Sequence, residues 1–303
     1  MLIASLAAFL FAPAAANAGS SNRTKKAAPS SVSRKTTRSV ARKSPARAAK
    51  PPAGREGRTP PVRSLAAVVV DGHEGKLLFT KNERVQRPIA SITKLMTALV
   101  YFESGADPDD RVTVGMEEIR GAGKTLFRKG EVVRVEDLLY AMLLKSDNVA
   151  ARCVAVASGL TTDGFAARMN RKAAALGLSD TRLVEPTGLD PGNVSTALEC
   201  AMLVEAAARN PAIRSVMATR EYTFRTSRAV RTVSSTNRLL YRSNDECPVG
   251  KTGFILEAGY CIATCLDSPG KNIAVVVLGA PTSSSRFREA NDLIRWALAA
   301  TVR

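Results

Sequence analysis

The sequence predicts an α/β (α+β) protein in which a block of helices is inserted between the strands of one sheet. Three observations predict it. β-branched runs lie near both ends of residues 64–303, 3.6-residue apolar periodicity fills the middle, and an amphipathic segment follows the last run. Strands, then helices, then strands is the order expected when parts of one sheet flank an insertion. With 303 residues, 45% of them hydrophobic, the chain can build a substantial core.

A hairpin is the first predicted element of this region. Leu65–Val70 and Lys76–Thr80 are strand-like runs, and Asp71–Gly75 between them has turn chemistry. The one histidine of the chain, His73, lies in that turn. A Ser-His-Asp triad or a multi-histidine metal site would have to be built around this residue alone. We therefore expect no metal and no cofactor, and a serine nucleophile would use lysine as its base.

The next segment, residues 88–102, predicts a buried helix. Its apolar residues recur at the i, i+3, i+4, i+7 spacing from Ile92 to Leu99, and its other faces are apolar too. Ser91 and Lys94 lie one turn apart, so their side chains share a face. Burial favours a neutral lysine, and only a neutral amine accepts a proton from serine. The pair is a candidate nucleophile and base, with a surface lysine after a serine as the alternative.

The remaining elements are predicted from the same signals. Further helices are expected at Leu138–Leu144, Val149–Ala157, Thr162–Ala175 and Ala197–Ala208. Strands are expected at Tyr222–Arg225, Val230–Ser234, Val249–Leu256, Tyr260–Leu266 and Ile273–Leu278. The closing helix, Ser284–Ala300, has an apolar stripe that we expect to pack on the sheet, with a membrane anchor as the alternative.

Two further motifs lie at predicted element boundaries and strands. Ser146 and Asn148 offer a hydroxyl and an amide at the break between two helices. Ser146 and Asp147 are also good helix N-cap residues, which is the simpler explanation of this stretch. Lys251 and Thr252 lie on a predicted strand, where a cation and a hydroxyl can meet a carboxylate, although Lys251 could also be an exposed strand lysine. Gly253 after them removes a side chain where a substrate backbone would approach.

The order S-x-x-K, S-x-N, K-T-G is the active-serine penicillin-recognising set. The chain from about residue 64 to 300 resembles the low-molecular-mass penicillin-binding proteins, which are serine D-alanyl-D-alanine peptidases of cell-wall metabolism. The blocks that carry the likeness are Arg87-Pro-Ile-Ala-Ser-Ile-Thr-Lys-Leu-Met-Thr-Ala98, Val184-Glu-Pro-Thr-Gly-Leu189, Asn193-Val-Ser-Thr196, Gly250-Lys-Thr-Gly-Phe254 and Ala258-Gly-Tyr260. They look most similar to the short murein DD-endopeptidase branch, which cuts D-Ala–diaminopimelate cross-links.

This resemblance implies a fold, a site and substrates. The implied fold is β-lactamase/transpeptidase-like, a mainly antiparallel sheet flanked by helices with an inserted all-helical subdomain. The implied catalytic residues are Ser91, Lys94 and Ser146, the substrate-binding residues are Asn148, Lys251, Thr252 and Gly253, and the oxyanion-hole donors are the backbone N–H groups of Ser91 and Phe254. The implied substrates are peptidoglycan peptides, and β-lactams are the implied inhibitors.

Two departures from the carboxypeptidase branch favour the endopeptidase branch. That branch usually carries a β-rich C-terminal domain and an anchor, whereas this chain stops at the closing helix. It also tends to place an arginine shortly before the K-T-G strand, where this chain has Thr236, with Arg238 two residues on. Carboxypeptidase activity stays open beside endopeptidase activity.

The sequence also leaves two alternative functions to consider. A class A β-lactamase shares the three motifs but needs a Glu-x-x-x-Asn element, and the residue four after Glu185 is Leu189. A non-catalytic envelope-binding protein would have no need of Lys94.

The first 63 residues differ in composition from the rest. Residues 1–18 are uncharged and end in Ala16-Asn17-Ala18, a pattern typical of a secretory signal peptide, with a plain apolar helix as the alternative. Residues 19–63 hold 13 Lys/Arg against one acid, a net charge of +12 out of the chain's +17. This composition predicts a disordered basic linker before a catalytic domain at 64–303.

Export to the periplasm or another extracytoplasmic compartment follows from a signal peptide. In that compartment an anionic envelope polymer is the expected partner of the basic arm, with a solvated tether as the alternative. If the chain stayed in the cytoplasm, nucleic-acid binding would be the alternative hypothesis. We expect no nucleic acid and no stable membrane anchor after signal cleavage.

Five cysteines, an odd number, lack zinc spacing: Cys153, Cys200, Cys247, Cys261 and Cys265. The last two lie four residues apart on one predicted strand, which separates them by roughly 13 Å. That distance is too long for a disulfide. We expect buried free thiols, with one bridge between other pairs as the alternative.

Overall fold

The computed structural model describes residues 59–241, 248–268 and 271–300. The predicted signal peptide at 1–18, most of the basic arm and Cys247 lie outside the described residues. The strands are β1 (Ala66–Asp71), β2 (Lys76–Lys81), β3 (Arg87–Pro88), β4 (Arg111–Thr113), β5 (Val132–Arg134), β6 (Val194–Ser195), β7 (Glu221–Arg225), β8 (Val230–Ser234), β9 (Val249–Ile255), β10 (Gly259–Ser268) and β11 (Lys271–Ala280).

The helices follow the sequence pattern closely. They are α1 (Lys94–Glu103), α2 (Met116–Ile119), α3 (Val135–Tyr140), α4 (Asn148–Ala157), α5 (Thr162–Ala175), α6 (Ala197–Arg209), α7 (Pro211–Ala218) and α8 (Ser283–Ala300). Short 3₁₀ turns lie at Ala90–Thr93 and Arg238–Tyr241, and a π-helical turn lies at Ala141–Lys145.

A five-stranded antiparallel sheet forms the centre of the fold, in the order β2-β1-β11-β10-β9. Successive residues of a strand point to opposite faces. In β1, Val68 and Val70 accordingly belong to the core on the helical-block side, whereas Ala67 and Val69 belong to the core beneath α8. Helix α6 covers one face of the sheet and α8 covers the other. The central strands are therefore buried on both faces, which explains why their sequences are nearly continuous apolar runs.

The inserted block separates β2 from β9 along the chain. It is mainly helical, but it also contains the small hairpin β4–β5 and the two-residue pair β3–β6. Strands β7 and β8 pair only with each other rather than joining the main sheet. Each has a single fully buried position, Phe224 or Val233, because its alternate residues face solvent. Such strands cannot occupy the buried middle of a two-sided sheet.

Most predicted elements are confirmed within one or two residues, and the differences are local. Ser91 lies in the 3₁₀ turn, not in the helix, and α1 begins at Lys94. The helix predicted at Leu138–Leu144 begins at Val135 and ends in the π turn. The sequence did not predict α2 or α7, which have four and eight residues. It also did not predict the strand pairs β3–β6 and β4–β5, whose strands have two or three residues each.

The closing helix and the thiols behave as expected. In α8, Phe287, Ala290 and Leu293 are buried against the sheet, so its stripe serves the core. Among the residues that the structure describes, no helix is long and apolar enough to cross a bilayer. His73 lies in the turn after β1. Cys153, Cys200 and Cys261 are buried free thiols, and Cys265 is also buried.

Candidate active site

The 3₁₀ turn Ala90–Thr93 places the Ser91 hydroxyl beside the first residue of α1. The Lys94 Nζ lies 2.9 Å from the Ser91 Oγ. It also lies 2.7 Å from the Asn148 Oδ1 and 2.5 Å from the backbone oxygen of Thr187. The Lys94 side chain is fully buried. The spacing of Ser91 and Lys94 therefore brings them into direct contact, although by a 3₁₀ turn rather than an α-helical one.

The surroundings of Lys94 match a neutral amine. Burial lowers its pKa from 10.5 to about 7, the negative charges of Glu185 and Asp147 raise it, and the positive charge of Arg152 lowers it. A neutral amine has two N–H donors and one lone pair. The oxygens of Asn148 and Thr187 can only accept, so they take both donors. The lone pair is left for the Ser91 O–H, which is the arrangement that general-base catalysis requires.

Ser146 and Asn148 lie at the junction of the π turn and α4. Ser146 has a left-handed backbone, with φ of +66°, and Asp147 is the N-cap that accepts from the Ala150 N–H. The N-cap explanation thus holds for Asp147 but not for Ser146. Asn148 is the first residue of α4, and its Nδ2 donates to the Ala122 oxygen at 2.8 Å. That bond fixes the amide so that its Oδ1 faces Lys94.

Strand β9 brings the third motif to the edge of the main sheet. Lys251 is 1% exposed, so the exposed-lysine reading is wrong. Burial first, and then the positive charges of Lys94 and Arg286, hold its pKa well below the usual lysine value. Its Nζ donates to the Thr252 oxygen at 3.0 Å, and the Thr252 hydroxyl lies 2.8 Å from that of Thr236. A positive charge on Lys94 therefore disfavours a second one on Lys251.

Gly253 is where β9 touches the 3₁₀ turn. A Cβ at this position would lie 3.0 Å from the Ser91 N, the Ile89 oxygen and the Ala90 Cβ. The glycine thus permits a close approach of two backbones. The following residue, Phe254, is half-exposed and stacks on Tyr260 with ring centroids 4.3 Å apart.

A loop at residues 184–193 completes the site, and the sequence analysis gave it no role. Its Thr187 oxygen accepts from Lys94. The Glu185 carboxylate accepts from the N–H groups of Thr187 and Gly188, at 2.7 and 2.5 Å, and from the Asn193 Nδ2 at 2.8 Å. Gly188 has φ of +81°, and a Cβ there would lie 2.0 Å from the Ala90 oxygen. The sequence signals were the Val184–Leu189 and Asn193–Thr196 blocks, which carry the family resemblance.

Arg286 is a second functional residue that the sequence did not indicate. It is 7% exposed, and its Nη1 donates from α8 to the Gly253 oxygen at 3.0 Å and the Cys261 oxygen at 3.2 Å. Burial first lowers its pKa to about 10. It thereby supports β9 from the face opposite Ser91. An arginine inside the apolar stripe of α8 was the available signal.

Comparisons with known proteins show the family of this chain. The profile of peptidase family S11, D-alanyl-D-alanine carboxypeptidase, matches residues 54–282. The chain belongs to this family. Among its relatives, the D-alanyl-D-alanine endopeptidase of Escherichia coli (strain K12) is 34% identical over 257 residues, covering 83% of each chain. The endopeptidase of Pseudomonas aeruginosa is 35% identical over 238 residues, covering 77% of this chain and 76% of that protein.

Carboxypeptidases and a solved structure extend the likeness within the S11 family. The D-alanyl-D-alanine carboxypeptidase DacC of E. coli is 32% identical over 252 residues, which are 78% of this chain and 62% of DacC. The crystal structure of the Streptomyces K15 DD-transpeptidase superposes with a TM-score of 0.73 at 26% identity, covering 80% of this chain and 99% of that one. This S11 peptidase is therefore a serine hydrolase with the penicillin-binding-protein fold.

Proposed function

We propose that this serine DD-peptidase is exported and cleaves D-alanyl bonds in peptidoglycan cross-links through an acyl-enzyme at Ser91. The observation that carries the proposal is the fully buried Lys94 amine, with a pKa of about 7, lying 2.9 Å from the Ser91 Oγ. A base whose pKa is near the working pH takes a proton efficiently and also returns it.

Acylation forms one bond and breaks one. The Ser91 Oγ attacks the carbonyl carbon of the D-alanine while its proton passes to the Lys94 Nζ. The backbone N–H groups of Ser91 and Phe254 receive the oxyanion, since the contact of Gly253 with the Ser91 N brings these two stretches of backbone together. The C–N bond then breaks, and Ser146 relays the proton from Lys94 to the leaving amine. Asn148 positions the substrate amide.

Deacylation runs the same chemistry with water. Lys94 takes a proton from the water, the water oxygen bonds to the acyl carbon, and the ester bond to Ser91 breaks as the proton returns to its oxygen. Lys251, Thr252 and Gly253 hold polar groups of the substrate along β9. β-Lactams enter the same reaction but leave slowly.

The chemistry before β9 favours the endopeptidase subtype. Thr236 lies at the position where we expect the carboxypeptidase branch to have a cation for a free carboxylate, and its hydroxyl contacts Thr252. Arg238 instead lies over the ring of Phe287, at 5.7 Å. Three of the matched relatives are named endopeptidases. Carboxypeptidase activity remains the alternative, because other matched relatives are named carboxypeptidases. Measuring hydrolysis of cross-linked dimers beside hydrolysis of monomeric pentapeptides distinguishes the two activities.

Labelled penicillin tests the central claim. The wild-type protein should form a stable adduct that maps to Ser91, and Ser91→Ala should form none. Ser158→Ala, which changes a serine at the end of α4 away from the site, is the matched control and should label normally. No adduct on the wild-type protein would contradict the proposal. An adduct that is released rapidly would indicate a β-lactamase instead. The structure does not favour that function, because the Glu185 carboxylate accepts hydrogen bonds from the backbone N–H groups of Thr187 and Gly188.

Export and an anionic partner for the basic arm are proposed from composition. The net charge of +12 over residues 19–63 favours binding to an anionic envelope polymer at low salt. We expect a chain starting at residue 64 to sediment less with purified cell walls than one starting at residue 19, and salt to abolish the difference. N-terminal sequencing of the exported protein tests cleavage after Ala18. Equal sedimentation of both chains would leave the arm as a tether.

A further inference from the structure

Arg152 forms hydrogen bonds with the backbone of residues 117–120, a segment with little regular secondary structure. Its Nη1 donates to the backbone oxygens of Arg120, Glu118 and Glu117, at 2.6, 3.1 and 3.3 Å. These carbonyls lie at the end of the one-turn helix α2, where backbone acceptors lack helical partners. A positive charge is favourable there. Arg152 therefore supplies donors that this short helix cannot supply for itself.

The gripped segment leads directly to the active site. Two glycines with left-handed backbone, Gly121 and Gly123, flank Ala122, so the chain turns sharply on both sides of it. The Ala122 oxygen accepts from the Asn148 Nδ2, and the Asn148 Oδ1 faces Lys94. The position of one backbone oxygen thus sets the orientation of the amide that contacts the catalytic amine.

The same helix holds this segment at both ends. Asn148 and Arg152 are four residues apart on α4 and share a face. At the start of α4, Asp147 accepts from the Leu126 N–H at 2.8 Å and from the Thr125 hydroxyl. One rigid element therefore grips residues 117–126 at several points.

We infer that Arg152 is a positioning residue for acyl transfer, which fixes the Ala122 oxygen and through it the amide of Asn148 against Lys94. The inference rests on the proposed function, since it concerns the rate at which Ser91 is acylated. Nothing in the S-x-x-K, S-x-N and K-T-G motifs includes Arg152 or the residues that it holds.

Charge gives Arg152 a second, separable effect on the same reaction. The charged groups that face Lys94 are Glu185 from the loop at 184–193, Asp147 and Arg152 from the start of α4 and its first turns, and Lys251 from β9. Among them Arg152 lowers the pKa of Lys94. Its loss should raise that pKa, so the rise of the acylation rate with pH should move to higher pH.

Three proteins separate the effects. The rate constant of acylation by a labelled penicillin is measured from pH 5 to 9 for the wild type, Arg152→Gln and Arg152→Lys, with folding checked by circular dichroism. We expect Arg152→Gln to lose about 10- to 100-fold in the rate constant, with little change in non-covalent binding, because a small misplacement costs rate. Its pH midpoint should rise. Arg152→Lys keeps the positive charge but lacks the planar set of guanidinium N–H donors. Its acylation rate constant should therefore fall, while the pH midpoint stays at the wild-type value.

The controls make each outcome decisive. Arg209→Gln removes an exposed arginine that pairs with Glu205 on α6, and it should behave as wild type. A folded Arg152→Gln protein with the wild-type plateau rate would overturn the inference, even if it is less stable or its midpoint has moved. A midpoint shift of equal size in Arg152→Lys would contradict the charge effect. If the wild-type protein itself is not acylated, the proposed function fails, and that result is distinct from failure of this inference.

Discussion

At the scale of single residues, the site depends on one amine whose pKa is lowered by its surroundings. Lys94 is buried with two carbonyl oxygens on its N–H groups, and its pKa is lowered to about 7. The sequence predicted this burial from the apolar faces around Lys94. It did not predict the Thr187 oxygen, which comes from 93 residues further along the chain.

The titration of Lys94 should appear in the pH dependence of acylation. Below about pH 7 the amine carries a proton and cannot accept one from Ser91, so the rate constant should fall as the pH falls. Above that pH the rate constant should reach a plateau. The rate constant is measured between pH 5 and 9 by labelling with penicillin and quenching the reaction at a series of times. A rate constant that does not change over this range would contradict the assignment of Lys94 as the base.

A methyl group at Gly253 tests the close approach of β9 to Ser91. In Gly253→Ala the new Cβ would meet the Ser91 N, the Ile89 oxygen and the Ala90 Cβ at 3.0 Å. The two backbones must separate by a few tenths of an ångström, which displaces an oxyanion-hole donor. We expect acylation to slow by about 100- to 1000-fold in a folded protein. Gly164→Ala in α5 is the remote control, and equal rates for both variants would refute the argument.

At the scale of elements, the loop at residues 184–193 and helix α4 act on Lys94 with opposite charge. Glu185 raises the pKa of Lys94 and holds the loop through its backbone N–H groups, whereas Arg152 lowers that pKa and holds residues 117–120. A short motif cannot show which of two charged neighbours dominates. Only the packing of these elements around α1 does.

Replacing Glu185 should shift the pH profile in the direction opposite to Arg152→Gln. Glu185→Gln removes the negative charge that raises the pKa of Lys94, so the midpoint of acylation should move to lower pH. It also places an NH2 group against backbone donors, which weakens the loop by about 1.5–3 kcal/mol for charge-assisted bonds. The plateau rate should therefore fall as well. The same penicillin assay reports both quantities, and an unchanged midpoint would contradict the electrostatic argument.

At the scale of the whole molecule, a residue just before β1 is tied to the last helix. The N–H and hydroxyl of Ser64 donate to one oxygen of Glu289 on α8, at 3.1 and 2.5 Å, and both residues are almost fully buried. The pair joins positions 225 residues apart. It lies beside the core between α8 and the sheet, so it bears on stability rather than on chemistry.

Ser64→Ala should destabilise the protein without slowing the reaction. It removes one of two donors from a buried carboxylate, which costs about 1–3 kcal/mol. Urea unfolding should show a lower midpoint at an unchanged slope, while penicillin acylation per folded molecule stays constant. Ser215→Ala, an exposed serine on α7, should change the free energy of unfolding by less than about 0.5 kcal/mol. Equal stability of the two variants would contradict the role of the Ser64–Glu289 contact.

The sequence alone determined the longer strands, most helices, the three motifs and the pairing of Ser91 with Lys94. These depend on local periodicity, turn chemistry and i, i+3 spacing, which are written in neighbouring residues. The tertiary structure decided what surrounds the amine. Thr187, Glu185, Arg152 and Arg286 reach the site or its backbone from distant segments, and their contacts exist only once α1, α4, β9 and α8 have packed. The motif names the reacting groups, whereas long-range packing sets the pKa and the geometry with which they react.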